Sequence, residues 1–522
     1  MKKTNIFMLL AVFFAAIGFT ACDMSPEYQN AIPAEPVAVV KANMKALLDK
    51  SEVLKDNQVQ GVLKSGINEM PENSRELLRT MLSDPEKCGL NLEHPAFVVL
   101  ENLEQERGFL LFSVKDYEQV VTFVSSLKDE SVSLSEQNGY KVLKAGSDNI
   151  AAFDDCKFVV AYARGTADAT EYMAENEDAE EKSDELKTFL ADDDDMAMYV
   201  DYKDIMRLAG NVAYPGIADI DEEMLKGAKL VCKLNFQAGK AVANMKIVGN
   251  DKIKEMYSES MASPESSLLK YLPQNCMALM QFGVKNIGKT IKANTPESQK
   301  TSLDEIVDNI NVQLSEKGVQ EKFTWDILDN LDGGMVLGVG RVGKGADGSI
   351  LQAVALAECK DKSLFTLFVN AMNANGMGLK SVAADVYSLS WGPRMTYFIG
   401  YTDDKVFIAP DNIYNEIYSD KSLKPLKTNL SGSQIDSFMD GKSGMALSFD
   451  DITAIMTEFG LAESYKYKGI VDLLKKFNMA GYTVKAGNEI DFVLEFKNSE
   501  ANALKQLKDI AVANAISEGS KM

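Results

Sequence analysis

The segment Met198-Tyr199-Val200-Asp201-Tyr202-Lys203-Asp204-Ile205 decides the fold, because it recurs later in the chain as Met445-Ala446-Leu447-Ser448-Phe449-Asp450-Asp451-Ile452. In both copies an apolar residue stands at every second position, and an acidic residue then precedes an isoleucine. This pattern predicts a strand that runs directly into a helix, with the acidic residue at the helix N-terminus. A pattern of this length that occurs twice indicates an internal repeat.

Four more landmarks recur in the same order and support a tandem duplication. We therefore predict two similar halves, residues 32–261 and 268–517, joined by a linker at 262–267. The landmarks are Ile32-Pro33 and Leu272-Pro273 ahead of an apolar strand, Lys115-Asp116 and Lys360-Asp361 ahead of a helix, Asp154-Asp155 and Asp403-Asp404 at a hairpin tip, and Ala238-Gly239 and Ala486-Gly487 between alternating strands.

Each half predicts an α+β architecture. Strands separated by tight turns indicate mostly antiparallel sheets with helices packed on one face. Ile490–Phe496 alternates apolar and polar residues, as in a sheet with one solvated face. After the helix that begins at Asp116 or Asp361, we expect three strands and two short helices before the strand-to-helix repeat. A strand pair around the Ala-Gly turn and a final helix then close each half.

The N-terminus predicts a bacterial lipoprotein signal peptide at residues 1–21. Lys2 and Lys3 precede an apolar run from Ile6 to Phe19, and Phe19-Thr20-Ala21-Cys22 closes it with small residues before a cysteine. The run spans about 21 Å as a helix, which is short for a hydrocarbon core of about 30 Å. A signal peptide is therefore favoured over a membrane span. We expect lipidation (palmitate) at Cys22, with residues 22–31 as a lipidated tether.

Composition narrows the function classes. The net charge is −22, and 46% of the residues are apolar. The acidic balance argues against nucleic acid or anionic lipid as a partner, because there is no basic excess to release phosphate counterions. Beyond Cys22 there are five widely spaced cysteines without a Cys-x-x-Cys pair, so a disulfide scaffold or zinc knuckle is not expected. We interpret them as small buried hydrophobic residues.

His94 is the single histidine, so any Ser-His-Asp, Cys-His or His-metal site would require it. It lies between Glu93 and Pro95 at the entrance to a predicted strand, and the chain has no Gly-x-Ser-x-Gly motif. We interpret it as a loop or strand-edge residue, and we expect no catalytic residues of this type.

The glycine-rich segment Gly338–Gly345 contains Gly-x-Gly-x-x-Gly and most of a phosphate loop. A phosphate loop needs Ser or Thr after its lysine and a helix that faces the phosphates. Here Gly345 follows Lys344, and a strand is predicted from Ile350 to Ala357. We therefore interpret the segment as a glycine-rich hairpin and expect no nucleotide or other cofactor.

Acidic clusters and tryptophans leave weaker alternatives. Asp192–Asp195 lacks the spacing of a calcium loop and is interpreted as a solvated acidic turn, so no metal site is predicted. A pair of carboxylates for glycoside hydrolysis stays open, although no pair can be nominated among 77 acidic residues. Trp325 and Trp391 could stack on sugars, but core packing or a pocket wall is favoured.

The lipobox, Ala31-Ile32-Pro33 with Val37 to Lys50 behind it, and the repeats resemble an uncharacterised family of Bacteroidetes envelope lipoproteins, catalogued as a domain of unknown function. The resemblance implies a lipid-anchored extracytoplasmic protein and transfers no catalytic residues. We expect a Gram-negative lipoprotein, anchored in the outer membrane on a face that the sequence leaves undecided. The expected role is non-enzymatic, binding an envelope protein or glycan in a groove between the halves, or purely structural. The alternative is a carbohydrate-active surface protein, either a glycan-binding accessory or a carboxylate-based glycoside hydrolase.

Overall fold

The computed structural model describes residues 27–57, 59–61, 85–103, 105–126, 132–173, 182–204, 225–262, 266–272, 276–295, 297–341, 351–390, 396–410, 417, 443–485 and 488–519. The predicted signal peptide and Cys22 therefore lie outside the described residues. Among the described helices, none is long and apolar enough to cross a bilayer.

The described chain divides into two compact units. The first takes its residues from Met1–Tyr214, Gly227–Gly249 and Asn498–Met522, and the second takes them from Pro215–Lys226 and Asn250–Lys497.

The first unit is built on one antiparallel sheet, in which the strands lie in the order β5-β6-β7-β8-β4-β3-β1-β9-β10-β11. Short β2 pairs with the end of β4. The strands are β1 (Ala38–Ala42), β2 (Leu90–Asn91), β3 (Ala96–Asn102), β4 (Arg107–Val114), β5 (Val132–Gln137), β6 (Tyr140–Ala145), β7 (Asp148–Phe153), β8 (Lys157–Tyr162), β9 (Met196–Asp201), β10 (Lys229–Gln237) and β11 (Lys240–Val248).

The second unit has the same strand order, β15-β16-β17-β18-β14-β13-β12-β19-β20-β21, again with antiparallel pairs throughout. Its strands are β12 (Cys276–Val284), β13 (Leu331–Arg341), β14 (Leu351–Cys359), β15 (Lys380–Ala383), β16 (Val386–Ser390), β17 (Thr396–Thr402), β18 (Lys405–Pro410), β19 (Ser443–Ser448), β20 (Phe477–Val484) and β21 (Glu489–Phe496).

The helices are distributed between the strands of both units. They are α1 (Met44–Ser51), α2 (Tyr117–Ser126), α3 (Asp184–Ala191), α4 (Asp251–Ser260), α5 (Ile287–Asn294), α6 (Glu297–Glu316), α7 (Ser363–Ala374), α8 (Phe449–Glu458), α9 (Lys468–Leu474) and α10 (Ala503–Gly519). Short 3-10 helices also occur, among them Glu27–Ala31, Ala169–Tyr172, Ser266–Tyr271 and Trp325–Asn330.

The predicted α+β class is confirmed, and the shared strand order supports the duplication. One expectation was wrong: four strands, not three, follow the helix in each unit (β5 to β8 and β15 to β18). These strands are as short as four residues and are joined by turns of two residues, such as Asn138-Gly139, so the sequence pattern does not separate them. The landmark Ala486-Gly487 lies outside the described residues.

The strand-to-helix repeat has the predicted local structure in its second copy. β19 ends at Ser448, and α8 begins at the next residue. The Ser448 hydroxyl accepts a hydrogen bond from the Asp451 amide at 3.4 Å and donates one to the Asp451 carboxylate at 2.7 Å. A serine N-cap with an acidic first turn satisfies the free amides of a helix start. The repeated acidic residue therefore marks a helix N-terminus.

Sheet residues alternate between two cores in the first unit. On β4, Phe109 and Leu111 face a core that includes residues of α3, while Phe112 and Val114 face a core that includes residues of α2. This is the two-residue period of a strand buried on both faces. The expectation that helices pack on one face only was therefore wrong for this unit.

The helices that end the two sequence halves pack in the opposite units. α4 follows β11 in sequence but packs on α5 of the second unit, and α10 follows β21 but packs on α1 of the first. Lys508 of α10 donates to Asp56 at 2.6 Å, and the Gly239 amide donates to the Ala501 carbonyl at 2.9 Å. The limits 32–261 and 268–517 stay predictions about the sequence repeat, whereas the compact units divide the chain differently.

The expectation that residues 22–31 form a tether was wrong for their second half. The last five of these residues form the 3-10 helix Glu27–Ala31, and Tyr28 is fully buried. The Tyr28 hydroxyl donates to the Pro95 carbonyl at 2.7 Å, and its ring stacks on that of His94. An aromatic ring buried in this way favours packing over extension into solvent. Residues 22–26 lie outside the described residues.

Candidate functional site

The second unit contains an apolar cavity of about 460 Å³. Three strands and one helix form most of it: β13, β14, β18 and α7. All of its lining residues are apolar, including Met335, Leu337, Ala357, Phe368, Val406 and Ile408. A volume of this size lies within the range of ligand pockets, about 300–1,000 Å³.

The cavity exists because small residues replace large ones at equivalent positions of the two sheets. In the first unit Phe112 on β4 lies opposite Phe158 on β8, and their ring centroids are 6.4 Å apart. The pair at the same place on β14 and β18 is Ala357 and Val406. Loss of two aromatic rings from one face of a sheet leaves space that the backbone cannot close.

In the neighbouring pair only one member becomes smaller. Leu110 lies opposite Val160 in the first unit, and its counterpart opposite Ile408 is Ala355. Ile408 remains 39% exposed, whereas Val160 is 1% exposed. The opening therefore extends along the strands, and apolar side chains stay accessible at its edge.

The helix above this face does not seal the cavity. In the first unit Phe123 of α2 is 3% exposed, in a core of fourteen buried residues. In the second unit the aligned residue Phe368 of α7 is 45% exposed, and the corresponding core has three buried residues among the described ones. The sequence repeat aligns Phe123 with Phe368 through Lys115-Asp116 and Lys360-Asp361. One face is thus packed solid in the first unit and open in the second.

Aromatic packing holds one wall of the cavity in place. Phe365 is 4% exposed, and its ring centroid lies 6.2 Å from that of Tyr387 and 6.1 Å from that of Tyr401. Tilted aromatic pairs at these distances are stabilising and restrict the rotation of the rings. The wall is therefore formed before any ligand arrives.

The lining of the cavity is suited to binding through the hydrophobic effect. No lining residue can act as an acid, a base, a nucleophile or a metal ligand. Burial of apolar surface contributes about 25 cal/mol per Å² to the free energy of binding. Apolar cavities take up apolar molecules rather than ordered water. The arrangement is suited to an apolar ligand or to the apolar part of a larger one.

His94 lies where the sequence predicted, in the turn before β3. Its Nδ1 lies 3.0 Å from the Ser113 hydroxyl and 3.4 Å from the Asn91 amide nitrogen. Ser113 is 6% exposed on β4, so its hydroxyl is closed to a substrate. The side chain joins the turn to the sheet, which is a structural role.

The acidic run Asp192–Asp195 is only partly a solvated turn, so this interpretation needs correction. Asp195 is 3% exposed and accepts hydrogen bonds from Lys50 Nζ at 2.6 Å and from the Phe236 amide at 2.7 Å. Lys233 forms ion pairs with Asp192 and Asp194. A buried carboxylate is stable only when paired in this way. No group of residues suited to a metal ion occurs in the part of the chain that is described.

The buried Lys41 belongs to the same region. It is 1% exposed, donates to the carbonyl oxygens of Phe189 and Asp192, and lies over the Phe189 ring. Burial lowers the pKa of Lys41, although the nearby Asp194 and Asp192 oppose the shift. A lysine at the carbonyl end of α3 satisfies groups that the helix leaves free.

The remaining predicted positions lie partly outside the described residues. Gly338–Arg341 lies in β13, which pairs directly with β14, as in a hairpin, and residues 342–350 lie outside the described residues. Trp325 packs edge-on against Phe323, 5.5 Å between centroids. Trp391, like the lipidation residue Cys22, lies outside the described residues.

The cysteines behave largely as predicted. Cys88, Cys276 and Cys359 are buried, Cys156 and Cys232 are half-buried, and none of these five described cysteines is in a disulfide. Burial raises the pKa of Cys276 to about 12 and that of Cys359 to about 11. Such thiols are unreactive.

Sequence reasoning missed the cavity, although the signal was present. Placing Lys115-Asp116 over Lys360-Asp361 sets Leu110 and Phe112 over Ala355 and Ala357. The replacement of large by small residues between repeats is visible there. The cavity itself is not visible there, because a small residue leaves a cavity only when the side chains around it in the fold do not fill the space.

The chain belongs to a family described as a domain of unknown function (DUF4836), whose profile matches residues 28–504. No curated protein matches the chain. Among solved structures, crystal forms III and IV of TP0453 share 7% and 8% sequence identity with it, each at a TM-score of 0.29. These matches cover 44% and 43% of this chain and 81% of TP0453. Similarity at this TM-score carries no argument about fold or function.

Proposed function

We propose that this member of the DUF4836 family is a binding protein of a Gram-negative cell envelope, anchored by a lipid on Cys22, whose second unit takes up a long alkyl chain. The role is non-enzymatic, and the expected location is the outer membrane. The observation that carries the proposal is the apolar cavity beneath α7, formed where Ala357 and Val406 replace a pair of phenylalanines.

The lining of the cavity supports a binding role over glycoside hydrolysis. A hydrolase needs two carboxylates on either side of the scissile bond. The cavity is lined by apolar side chains alone, so it offers neither a proton donor nor a partner for sugar hydroxyls. A sugar would lose hydrogen bonds to water there without replacement, at a cost of about 1–3 kcal/mol per unpaired group.

The size of the cavity supports an alkyl chain as the ligand. A water molecule occupies about 30 Å³ in the liquid. About 460 Å³ therefore holds roughly fifteen groups of that size, comparable to the methylenes of a long fatty acyl chain. Each buried methylene contributes about 0.8 kcal/mol, so the chain alone can supply most of the affinity.

The test is a binding titration with residues 23–522, which contain every described residue, and a fluorescent long-chain fatty acid as the probe. We expect saturable binding that is displaced by unlabelled fatty acid. A phospholipid competitor in a second titration distinguishes a free fatty acid from the acyl chain of a membrane lipid. Absence of saturable binding to both would overturn the proposal.

Variants that fill the cavity can be designed from the residues at equivalent positions of the first unit. Ala357→Phe and Ala355→Leu introduce the residues that the first unit carries at these places, and we expect each to weaken binding at least tenfold. Val98→Phe, at a 42% exposed position of β3 in the first unit, is the control and should leave binding unchanged. Wild-type affinity in both cavity variants, with unchanged circular dichroism, would show that the chain binds elsewhere.

A further inference from the structure

The segment between α8 and β20, residues 459–476, presents apolar side chains to solvent. Phe459 is 58% exposed, Tyr465 92%, Ile470 50% and Leu473 37%. Scattered exposed apolar residues are ordinary, but four within eighteen consecutive positions form a group. We name residues 459–476 the basic apolar segment.

The exposure is a property of ordered structure. Gly460 has φ of +72° and ends α8, and the Leu461 amide donates to the Met456 carbonyl at 2.9 Å. This is how a helix is closed by a glycine in the left-handed region. The Lys468 amide donates to the Ser464 carbonyl at 2.9 Å, which starts α9. Backbone hydrogen bonds therefore close α8 and start α9 within the segment.

α9 is anchored on one side and free on the other. Val471 is fully buried, whereas Ile470 and Leu473, three positions apart, lie together on the solvent side. Because Val471 fixes the rotation of the helix, the two exposed side chains cannot turn inward.

The charge of the segment is opposite to that of the chain. It contains Lys466, Lys468, Lys475 and Lys476 against Glu463 and Asp472, in a protein of net charge −22. All four lysines are exposed. At physiological ionic strength the Debye length is about 8 Å, so this local charge decides what approaches the segment.

We propose that the basic apolar segment is a membrane-contact surface for an anionic bilayer. Aromatic residues favour the boundary between headgroups and acyl chains, and lysines nearby attract anionic headgroups. Each lysine near such a surface contributes about fivefold in affinity. The overall acidity of the chain argued against anionic lipid, and this segment is a local exception.

The contact is independent of the cavity and of the lipid on Cys22. The lipid on Cys22 would hold one end of the chain at the membrane, and a contact at the basic apolar segment would set the orientation of the body. The segment would act as a second contact.

The test is co-sedimentation of residues 23–522 with vesicles. One set contains phosphatidylcholine alone, and the other contains about one-third phosphatidylglycerol. We expect at least tenfold tighter binding to the anionic vesicles, lost at about 1 M salt, where the Debye length falls to about 3 Å. Equal binding to both sets, or no binding to either, would overturn the proposal.

Two variants separate charge from apolar contact. Lys466→Glu with Lys468→Glu should lower binding to anionic vesicles more than tenfold, and Phe459→Ser with Tyr465→Ser should lower it at least fivefold. Lys252→Glu with Lys254→Glu, at exposed positions of α4, changes the net charge equally and should leave binding unchanged. If the control lost binding as the first variant does, overall charge would account for the effect and the assignment would be wrong. Binding of the fatty acid probe should be unaffected in all three.

Discussion

Phe112 and Phe158 lie directly opposite each other on β4 and β8, and at the equivalent place in the second unit Ala357 lies opposite Val406. One fold thus carries two different interiors. The first unit uses the face beneath its helix for stability, and the second leaves that face open.

Truncation of the Phe158 side chain should therefore lower the free energy of unfolding more than truncation of the Phe368 side chain. Phe158 is 2% exposed, so we expect Phe158→Ala to lower the free energy of unfolding of the first unit by about 3–5 kcal/mol. Phe368 is 45% exposed, and Phe368→Ala should cost less than about 1 kcal/mol. Hydrogen exchange of the β4 and β14 amides measures each unit separately. Similar losses in both would contradict the difference between the two interiors.

The buried Lys41 predicts a pH dependence of stability. Burial lowers its pKa in the folded state, so the unfolded state binds more protons just below the ordinary lysine pKa of about 10.4. Stability from this group therefore rises with pH in that window. We expect the free energy of unfolding of wild type, minus that of Lys41→Met, to become more positive from neutral pH to about pH 10. Urea unfolding at both pH values measures this signed difference, and a value that stays constant or falls would refute the prediction.

The C-terminal helix should stabilise the first unit. Lys508 is 12% exposed in its pair with Asp56, whereas Lys505 is 35% exposed in its pair with Glu52. Breaking a partly buried ion pair lowers stability more than breaking an exposed one. Lys508→Met should therefore lower the free energy of unfolding of the first unit by about 1–3 kcal/mol, and Lys505→Met by less than about 1 kcal/mol. Hydrogen exchange in α1 and β10 should increase in the Lys508 variant. Faster exchange confined to the second unit would contradict this assignment.

Lipidation at Cys22 can be tested in cells. We expect wild-type protein to incorporate labelled palmitate and to fractionate with membranes, and Cys22→Ala to lose the label. If the variant fractionated with membranes and carried label as wild type does, the predicted anchor would be wrong. Protease treatment of intact cells then distinguishes the surface from the periplasmic face.

Much of the fold was predictable because each pattern occurs twice, so the two copies support the same interpretation. The strand-to-helix segment at Met198 and Met445 and the helix starts at Asp116 and Asp361 follow from periodicity and helix-end electrostatics, which are local properties. The fourth strand of each group was missed, because short strands joined by two-residue turns lack a full period of alternation.

The sequence by itself determined the α+β class, the repeated segments and the charge, since each depends on neighbouring residues or on composition. The prediction of lipidation at Cys22 likewise depends on neighbouring residues alone. Tertiary structure alone decided that Tyr28 is buried, that α10 packs on α1, and that Ala357 and Val406 face each other across two strands. Packing depends on residues distant in sequence, and a cavity is a property of all its walls at once. The candidate binding site depends on which residues lie opposite each other on neighbouring strands of the second sheet.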